Sequence, residues 1–442
     1  MSKLAIMGGK PLRTRLFPAY NPIGREEAKA VARVMKTGNL SQYIGAWHPD
    51  FMGGPEVRQF ESDWAAFFKV KHALAVNSAT SGLYLAMGAC GIGPGDEVIV
   101  SPYTMSASAI APVIYGAVPV FADIDKNTFC IDPKSVQARI TKRTKAIIVV
   151  HIFGGPADMN GIMKLARKHR LKVIEDCAQA PSCTYKGQNV GSIGDIGVFS
   201  LNYHKHIHTG EGGVVTSNDP ELAERIALIR NHAEAVVGDK GREDLAHLLG
   251  FNYRMTELSA AIGIQQLKKL TGLVDKRIFN VEYLSRRIGT LPGLELALVE
   301  SGCRHVYYGH PIKFNSEVVG VHRNTFVNAV KAELPSAKLR ENVPLIGYGY
   351  VKPLYLQPFY QLRATACSFN CQRYDGKVSY GMGLCPVAER MHFDELVTHE
   401  FMRPCMSRKD LDDVVRGFEK VYENLGDLRA YEKKLYPHRK TN

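Results

Sequence analysis

Long hydrophobic runs are absent from this 442-residue sequence. None reaches the roughly 18 consecutive apolar residues that a membrane-spanning helix requires, so we expect neither a membrane helix nor a membrane partner. Glycines interrupt the first ten residues, which leaves no room for the apolar segment of a secretory signal peptide. These two absences predict a cytoplasmic protein.

Cysteine pairs and basic runs are also scarce. The nine cysteines are odd in number and scattered; Cys367 and Cys371 lie close together, but no second pair stands at zinc-binding spacing. We therefore expect free thiols in a reducing compartment and no metal site. The formal net charge is +13, yet the Lys and Arg residues are dispersed. This distribution favours a small phosphorylated substrate over nucleic acid, whose binding usually requires a concentrated basic face.

From His72 onward, the sequence alternates short apolar runs with amphipathic segments. The apolar runs have the length of buried strands and cover residues 73–76, 97–100, 118–121, 145–150 and 172–175. The alternation predicts an α/β fold with a mainly parallel sheet flanked by helices on both faces. Pro119 indicates that its run forms an edge strand or begins a strand.

We expect three parts in the chain. Residues 1–23, punctuated by Gly and Pro, form an irregular arm; residues 24–275 form a large domain; and residues 276–442 form a smaller C-terminal α/β domain. A long helix or a pair of helices is expected from about 255 to 287, and a last helix at about 410–425 precedes a frayed basic tail. The large domain opens with a helix over 24–35, and its periodicity places one apolar stripe on the buried face: Ala28, Val31, Ala32 and Met35.

Lys205 is the most informative single residue. It lies on a short polar segment between the apolar run 195–200 and the glycine-rich turn 210–213. Ligands of parallel sheets bind beyond the carboxyl ends of the strands, and glycines allow a ligand to approach the backbone closely. Lys205 is therefore a candidate for a Schiff base with pyridoxal 5'-phosphate (PLP). The alternative interpretation is a solvated lysine in a glycine-rich hairpin.

Polar residues at other strand ends fit the same cofactor. Asp176 follows the run 172–175, where a carboxylate would keep a pyridinium nitrogen protonated; a helix N-cap is the alternative role. Gln179 could reach the phenolic oxygen of PLP. The segment 78–81 stands at a strand-to-helix turn, where backbone N–H groups and hydroxyls can hold a phosphate, although any Ser/Thr cap has this pattern.

Four motifs in the same order and spacing resemble the DegT/DnrJ/StrS family of sugar aminotransferases, which are PLP enzymes with the aspartate aminotransferase fold. The motifs cover residues 77–80, 173–179, 200–213 and 252–255. Segments 349–355 and 385–390 resemble the C-terminal domain of that family, and the resemblance extends over roughly residues 5–425.

The resemblance implies roles for individual residues. Lys205 would join PLP covalently and move the proton; Asp176 would bind the ring nitrogen and Gln179 the ring oxygen. The remaining residues would surround the cofactor: Thr80, Ser81 and Ser200 at its phosphate, His151 nearby, and Asn252 at the phosphate of the neighbouring subunit. The active unit would then be a homodimer.

The sequence departs from the family pattern at two places. Many members carry an aromatic residue that stacks on the pyridine ring, where this chain has Met105. A thioether also packs on an aromatic face, so we expect altered packing and retained binding. In addition, His204, His206 and His208 crowd the lysine segment, but without nearby carboxylates or cysteines they do not indicate a metal site.

The resemblance implies transfer of an amino group from L-glutamate or L-glutamine to a keto-sugar, expected to be nucleotide-linked. Rival acceptors are a free keto-cyclitol or a sugar phosphate. A PLP-dependent dehydratase is disfavoured, because that branch of the family replaces the lysine by histidine. A non-catalytic regulatory protein of the same fold is the alternative from another class.

Overall fold

A seven-stranded sheet forms the centre of the computed structural model, which describes residues 2–241, 247–335, 344–363, 368–369 and 372–436. In chain order the strands of the first half are β1 (His72–Val76), β2 (Glu97–Val100), β3 (Val118–Phe121), β4 (Thr144–Val150), β5 (Lys172–Asp176), a small hairpin of β6 (Thr184–Tyr185) and β7 (Gln188–Asn189), β8 (Ile196–Ser200) and β9 (Gly213–Ser217). The sheet order is β1-β9-β8-β5-β4-β2-β3. Only β9 runs antiparallel to its neighbours in this sheet. The predicted fold class is confirmed, and β3 with its proline lies at the edge.

Helices cover this sheet and precede or follow its strands. They are α1 (Arg25–Thr37), α2 (Pro55–Phe68), α3 (Ala79–Ala89), α4 (Ser106–Ile114), α5 (Pro133–Arg139), α6 (Met159–His169), α7 (Pro220–Arg230) and α8 (Glu257–Ile288), with single 3-10 turns at Ala5–Met7, Pro49–Met52, Ile152–Gly154 and Ala233–Ala235. Side-chain oxygens cap several of them, as where Asp219 accepts from the first turn of α7.

The buried face of α1 differs from the predicted one. Glu27, Ala30 and Val34 are buried, whereas Met35 is 54% exposed. The prediction failed because it assigned charged residues to the solvent. The Glu27 carboxylate instead accepts hydrogen bonds from Lys269 Nζ at 2.8 Å and Gln266 Nε2 at 2.8 Å, both on α8. A carboxylate with such partners can be buried.

The second half of the chain begins with α8, a single 32-residue helix. Beyond it, an antiparallel sheet in the order β10-β11-β13-β12 is built from β10 (Leu294–Leu296), β11 (His310–Phe314), β12 (Ile346–Tyr348) and β13 (Leu396–His399). The accompanying helices are α9 (Ser316–Val319), α10 (Arg323–Glu333), α11 (Pro358–Gln361), α12 (Pro386–Arg390), α13 (Arg408–Glu423) and α14 (Leu425–Leu435), with a 3-10 turn at Leu354–Leu356 and a π-helical turn at Met391–Glu395. The predicted last helix is thus followed by another, α14, which includes the start of the expected frayed tail.

Two large hydrophobic clusters underlie the two sheets. The first surrounds the seven-stranded sheet and also contains residues from the C-terminal half, among them Leu354 and Tyr355. The second lies against the smaller sheet and takes up Leu4 and Phe17 from the N-terminal segment. The division of the chain at residues 23 and 275 stays a prediction, and α8 runs without a break across the second of these positions.

Within the described residues, we find no helix that is both long and apolar enough to cross a membrane. The pair Cys367 and Cys371 lies outside the described residues.

Candidate active site

The carboxyl ends of the parallel strands meet at one edge of the large sheet. Asp176 ends β5, Ser200 ends β8, and His151 directly follows β4. Gly213, the first residue of β9, pairs with Val76 on one side and Ser200 on the other. The strand order therefore brings together the polar residues that the sequence analysis selected at this edge.

Lys205 lies on the turn that leaves β8, and its backbone N–H donates to the carbonyl of Asn202 at 2.9 Å. The residue is half-buried, and its Nζ lies 4.4 Å from the centre of the Tyr308 ring. Within the described part of the chain, Nζ makes neither a hydrogen bond nor an ion pair. Burial lowers the pKa of this amine to about 8, although the negative charges of Asp176 and Glu400 oppose the shift. The amine therefore loses its proton much more readily than an ordinary lysine.

The histidines next to Lys205 lie on the same turn segment between β8 and β9, and not on one side of a strand. Burial lowers the pKa of His204 to about 4, and the Lys205 charge adds to that effect. Burial also lowers the pKa of His206 well below its usual value. Both rings are consequently neutral at physiological pH and do not repel a cation on Lys205.

Asp176 is buried and held by two donors. Ser108 Oγ, on α4, donates to Oδ2 at 2.7 Å, and the backbone N–H of Ala178 donates to Oδ1 at 3.1 Å. The residues after Asp176 form turns, so the alternative role as a helix N-cap is wrong. These two hydrogen bonds fix the position of the carboxylate at the end of β5.

The N-terminus of α3 lies at the same edge. Ser78 caps this helix by accepting from the Ser81 N–H at 3.0 Å, while Ser81 Oγ donates to Asn77 Oδ1 at 2.6 Å. Thr80 is half-buried in the first turn. A Cβ on Gly213 would lie 2.7 Å from the backbone nitrogen of Ala79, so only glycine lets β9 pass this close. The N-terminus of a helix is suited to binding an anion.

Gln179 and His151 are fixed by the protein itself. Gln179 Oε1 accepts from the Phe153 N–H at 2.7 Å, and its Nε2 donates to the Tyr350 hydroxyl at 2.8 Å. His151 is fully buried; Nδ1 accepts from the Ala157 N–H at 3.1 Å, which leaves the proton on Nε2, and Nε2 donates to Glu175 at 3.0 Å. Both nitrogens of the His151 ring are therefore occupied, and only its carbon atoms remain for contact with other groups.

Met105 and Asn252 lie at the periphery. Met105 is 58% exposed at the N-terminus of α4, one turn before Ser108. Asn252 is exposed, and its Oδ1 accepts from Arg254 Nε at 2.8 Å. The residues after Asn252 lie at the end of β1, where Arg254 pairs with Val76 and the Asn77 N–H donates to the Tyr253 carbonyl at 3.0 Å.

Three further residues complete the surroundings of Lys205 and were missed in the sequence analysis. Tyr308 contacts Nζ, Tyr350 binds Gln179, and the Glu400 charge acts on Lys205. They come from the segments that flank the small sheet, far along the chain from the lysine. Tyr350 lies in segment 349–355, which resembles the family but was assigned no role at the site; for Tyr308 the only signal is the pair of aromatic residues at 307–308, and Glu400 has none.

One group of side chains has the spacing of a metal site among the residues that the structure describes: His151, Glu175 and Cys177. Its atoms already serve other purposes. Glu175 accepts from the backbone N–H groups of Ile193 and Gly194 at 2.8 and 2.6 Å in addition to His151. Burial raises the pKa of Cys177 well above its usual value, which disfavours the thiolate that binds metals. We interpret the group as structural.

Comparison with known proteins agrees with this geometry. The sequence profile of the DegT/DnrJ/EryC1/StrS aminotransferase family matches residues 23–418. The chain belongs to this family. The resemblance drawn from the four motifs is thereby confirmed, and the protein is a PLP-dependent aminotransferase by membership of the family.

Named relatives match the chain over almost its full length. The spore coat polysaccharide biosynthesis protein SpsC of Bacillus subtilis is 34% identical over 92% of this chain and 98% of its own. The L-glutamine:2-deoxy-scyllo-inosose aminotransferase of Streptoalloteichus tenebrarius is 32% identical over 97% of this chain and 99% of its own. Among solved structures, DesI in the presence of its TDP-sugar product is 26% identical, with a TM-score of 0.78 over 98% of each chain.

Proposed function

We propose that this aminotransferase moves an amino group from L-glutamate or L-glutamine to the keto group of a nucleotide-linked sugar. The observation that carries the proposal is Lys205, a half-buried amine of lowered pKa whose charge is balanced by no ion pair among the described residues. A buried lysine beside a carboxylate at the carboxyl edge of a sheet is suited to a carbonyl cofactor.

The residues at this edge fit PLP. Gly213 lies so close to the first turn of α3 that a Cβ on it would be 2.7 Å from the Ala79 nitrogen. A phosphate would bind at this helix end, held by Thr80, Ser81 and Ser200. Asp176 would bind the ring nitrogen and Gln179 the ring oxygen. When bound, PLP supplies a sink for the electrons of the carbon that loses a proton.

The side chains of the protein would perform the remaining tasks. The lowered pKa of Lys205 allows its Nζ to accept and return a proton near neutral pH. Asp176, held by Ser108 and Ala178, keeps its negative charge in place. Tyr308 and Tyr350 line the site with aromatic rings. Burial raises the pKa of Tyr350 to about 12, so that its hydroxyl stays neutral.

A keto-cyclitol is the second candidate acceptor. It is favoured by the 32% identity to an aminotransferase that is named for 2-deoxy-scyllo-inosose. The nucleotide-linked sugar is favoured by the DesI structure with its TDP-sugar product and by the net charge of +13, which suits a diphosphate.

The active unit proposed here is a homodimer. Asn252 is exposed in the single chain, as a residue that completes the phosphate site of a neighbouring subunit would be. Met105, at the mouth of the site, would cover one face of the ring.

The test is a pair of half-reactions with PLP-loaded protein. The absorbance of bound PLP is expected to appear in wild type and in Lys29→Ala, an exposed lysine on α1, and to be lost in Lys205→Ala. L-glutamate or L-glutamine should then bleach it, and a panel of nucleotide-linked keto-sugars, keto-cyclitols and sugar phosphates identifies the acceptor that restores it. Wild-type protein that takes up no PLP would contradict the proposal.

A further inference from the structure

The Gln179 side chain is oriented by two partners from different parts of the chain. Its Oε1 accepts from the Phe153 N–H at 2.7 Å, and its Nε2 donates to the Tyr350 hydroxyl at 2.8 Å. A backbone N–H can only donate, so the bond from Phe153 settles which end of the amide is the oxygen. One Nε2 hydrogen is then bound by Tyr350, and the other remains for a ligand.

Phe153 is a rigid support for the oxygen end of this amide. The residue is 2% exposed and has a φ of 57°, a left-handed conformation that is uncommon outside glycine. Its carbonyl accepts from the Tyr308 N–H at 2.8 Å, and the Tyr308 ring lies 4.4 Å from Lys205 Nζ. A Cβ on the next residue, Gly154, would lie 2.9 Å from the Tyr308 nitrogen and 3.0 Å from the Gln179 carbonyl oxygen. Gln179 and the aromatic contact of the reactive amine therefore lie against the same turn.

Tyr350 supports the nitrogen end of the amide and comes from the second half of the chain. It follows β12, and the residue before it, Gly349, is hydrogen-bonded to β13 through both its N–H and its carbonyl. The Tyr350 ring packs edge-to-face on Phe153, with ring centroids 5.2 Å apart. Its hydroxyl oxygen accepts from Gln179, and the hydroxyl hydrogen has no acceptor among the described residues. Gln179 is thus held between a turn of the large sheet and a segment anchored to the small sheet.

We propose that Tyr350 is a positioning residue that, together with Phe153, directs the second Nε2–H of Gln179 to the ring oxygen of bound PLP. The proposal rests on the function proposed above, in which Gln179 binds that oxygen. The last torsion of a glutamine side chain has only a weak preference of its own. A single hydrogen bond at Oε1 would let the amide pivot, whereas a second one at Nε2 fixes its plane. The small sheet thereby sets the orientation of a donor that belongs to the large sheet.

The measurement is the absorbance of the PLP-loaded protein as a function of pH. A hydrogen bond to the ring oxygen favours its charged form, so loss of this bond should raise the midpoint of the absorbance change. Gln179→Met removes the donor and is expected to raise the midpoint by about 0.4 to 1 pH unit. Tyr350→Phe keeps the ring and removes only the hydroxyl, so it should raise the midpoint by part of that amount. Tyr348→Phe, at an exposed tyrosine on β12, should leave it unchanged.

A double variant distinguishes positioning from direct binding. If Tyr350 acts only through Gln179, Tyr350→Phe should cause no further shift of the midpoint in the Gln179→Met background. A further shift in that background would mean that the Tyr350 hydroxyl binds the cofactor itself, and it would overturn the inference. A Tyr350→Phe midpoint equal to or below that of wild type would also overturn it.

Thermal denaturation verifies that each variant is folded. If Gln179→Met does not fold, a crystal structure of PLP-loaded Tyr350→Phe decides: a Gln179 amide turned away from its wild-type orientation supports the inference, and an unmoved amide overturns it.

The outcomes also separate this inference from the function on which it rests. Wild-type protein that takes up PLP, together with a Gln179→Met variant whose midpoint is unchanged, would overturn the inference alone. Wild-type protein that takes up no PLP would overturn the proposed function and this inference together.

Discussion

The lowered pKa of Lys205 makes a quantitative prediction. With a pKa of about 8, roughly one tenth of the amine is neutral at pH 7, whereas an ordinary lysine near 10.5 is neutral in only about one molecule in 3,000. Only the neutral amine is a nucleophile, and its fraction at pH 7 is about 300-fold larger for Lys205 than for an ordinary lysine, so Lys205 should react with an electrophile faster than an ordinary lysine of equal accessibility.

Competitive labelling measures this difference in one sample. Cofactor-free protein is treated with trace acetic anhydride between pH 6 and 11, and acetylation of each lysine is followed by peptide mass spectrometry. The labelling of Lys205 should rise with pH and level off above about pH 8, while exposed lysines such as Lys29 serve as internal references and continue to rise beyond that pH.

Glu400→Gln tests whether the negative charge of Glu400 raises the pKa of Lys205. The Glu400 carboxylate favours the ammonium form and raises the pKa of Lys205 against the effect of burial. Its removal should move the midpoint of labelling to lower pH, and Asp176→Asn should act in the same direction. A midpoint near 10.5 in wild type, or a midpoint that moves upward in Glu400→Gln, would refute the reasoning.

Three other substitutions test the supports of the site. Gly213→Ala should lower stability by about 1–3 kcal/mol in thermal denaturation and weaken PLP binding, because its Cβ would lie 2.7 Å from the Ala79 nitrogen; Gly272→Ala, where nothing lies within 4 Å, should be neutral or stabilising. Ser108→Ala should weaken PLP binding about tenfold in equilibrium titrations, since a hydrogen bond to a carboxylate is lost, and Ser108→Thr should retain more of the affinity. Glu175→Ala should destabilise the protein by about 3–5 kcal/mol in chemical denaturation, because it removes the acceptor of the buried His151 ring and of two half-buried backbone N–H groups; unchanged stability would contradict its structural role.

The strand ends of the site could be predicted because buried parallel strands are nearly continuous apolar runs. Asp176 and Ser200 each terminate such a run, so their position at the carboxyl edge follows from the fold class alone. Lys205 was selected because an apolar run precedes it and glycines follow it. The structure adds that these glycines lead the chain back into the sheet, where Gly213 pairs with Ser200.

The features of the fold and the site that were not predicted depend on contacts between residues far apart in the sequence. Glu27 is buried because Lys269 and Gln266 on α8, far along the chain, donate hydrogen bonds to its carboxylate. The helical periodicity of α1 does not indicate these partners. Tyr308 and Glu400 lie on segments that flank the small sheet; the Tyr308 N–H donates to the Phe153 carbonyl, just after β4, at 2.8 Å, and the Glu400 charge acts on Lys205. Neither residue belongs to a local motif, so their roles required the folded chain.

Helix α4 explains how the site tolerates Met105 in place of an aromatic residue. Met105 is the N-cap residue of this helix and is exposed, whereas Ser108 lies in the first turn and is buried. Ser108 Oγ donates to Asp176 at 2.7 Å, so α4 fixes this carboxylate, the proposed partner of the ring nitrogen, independently of the side chain at position 105. A flexible thioether can then cover the ring face without displacing the carboxylate. Met105→Tyr should therefore change the absorbance spectrum of bound PLP and its dissociation rate, while Lys205 still captures the cofactor. A Met105→Tyr variant that takes up no PLP would show that the side chain at position 105 does affect the position of Asp176.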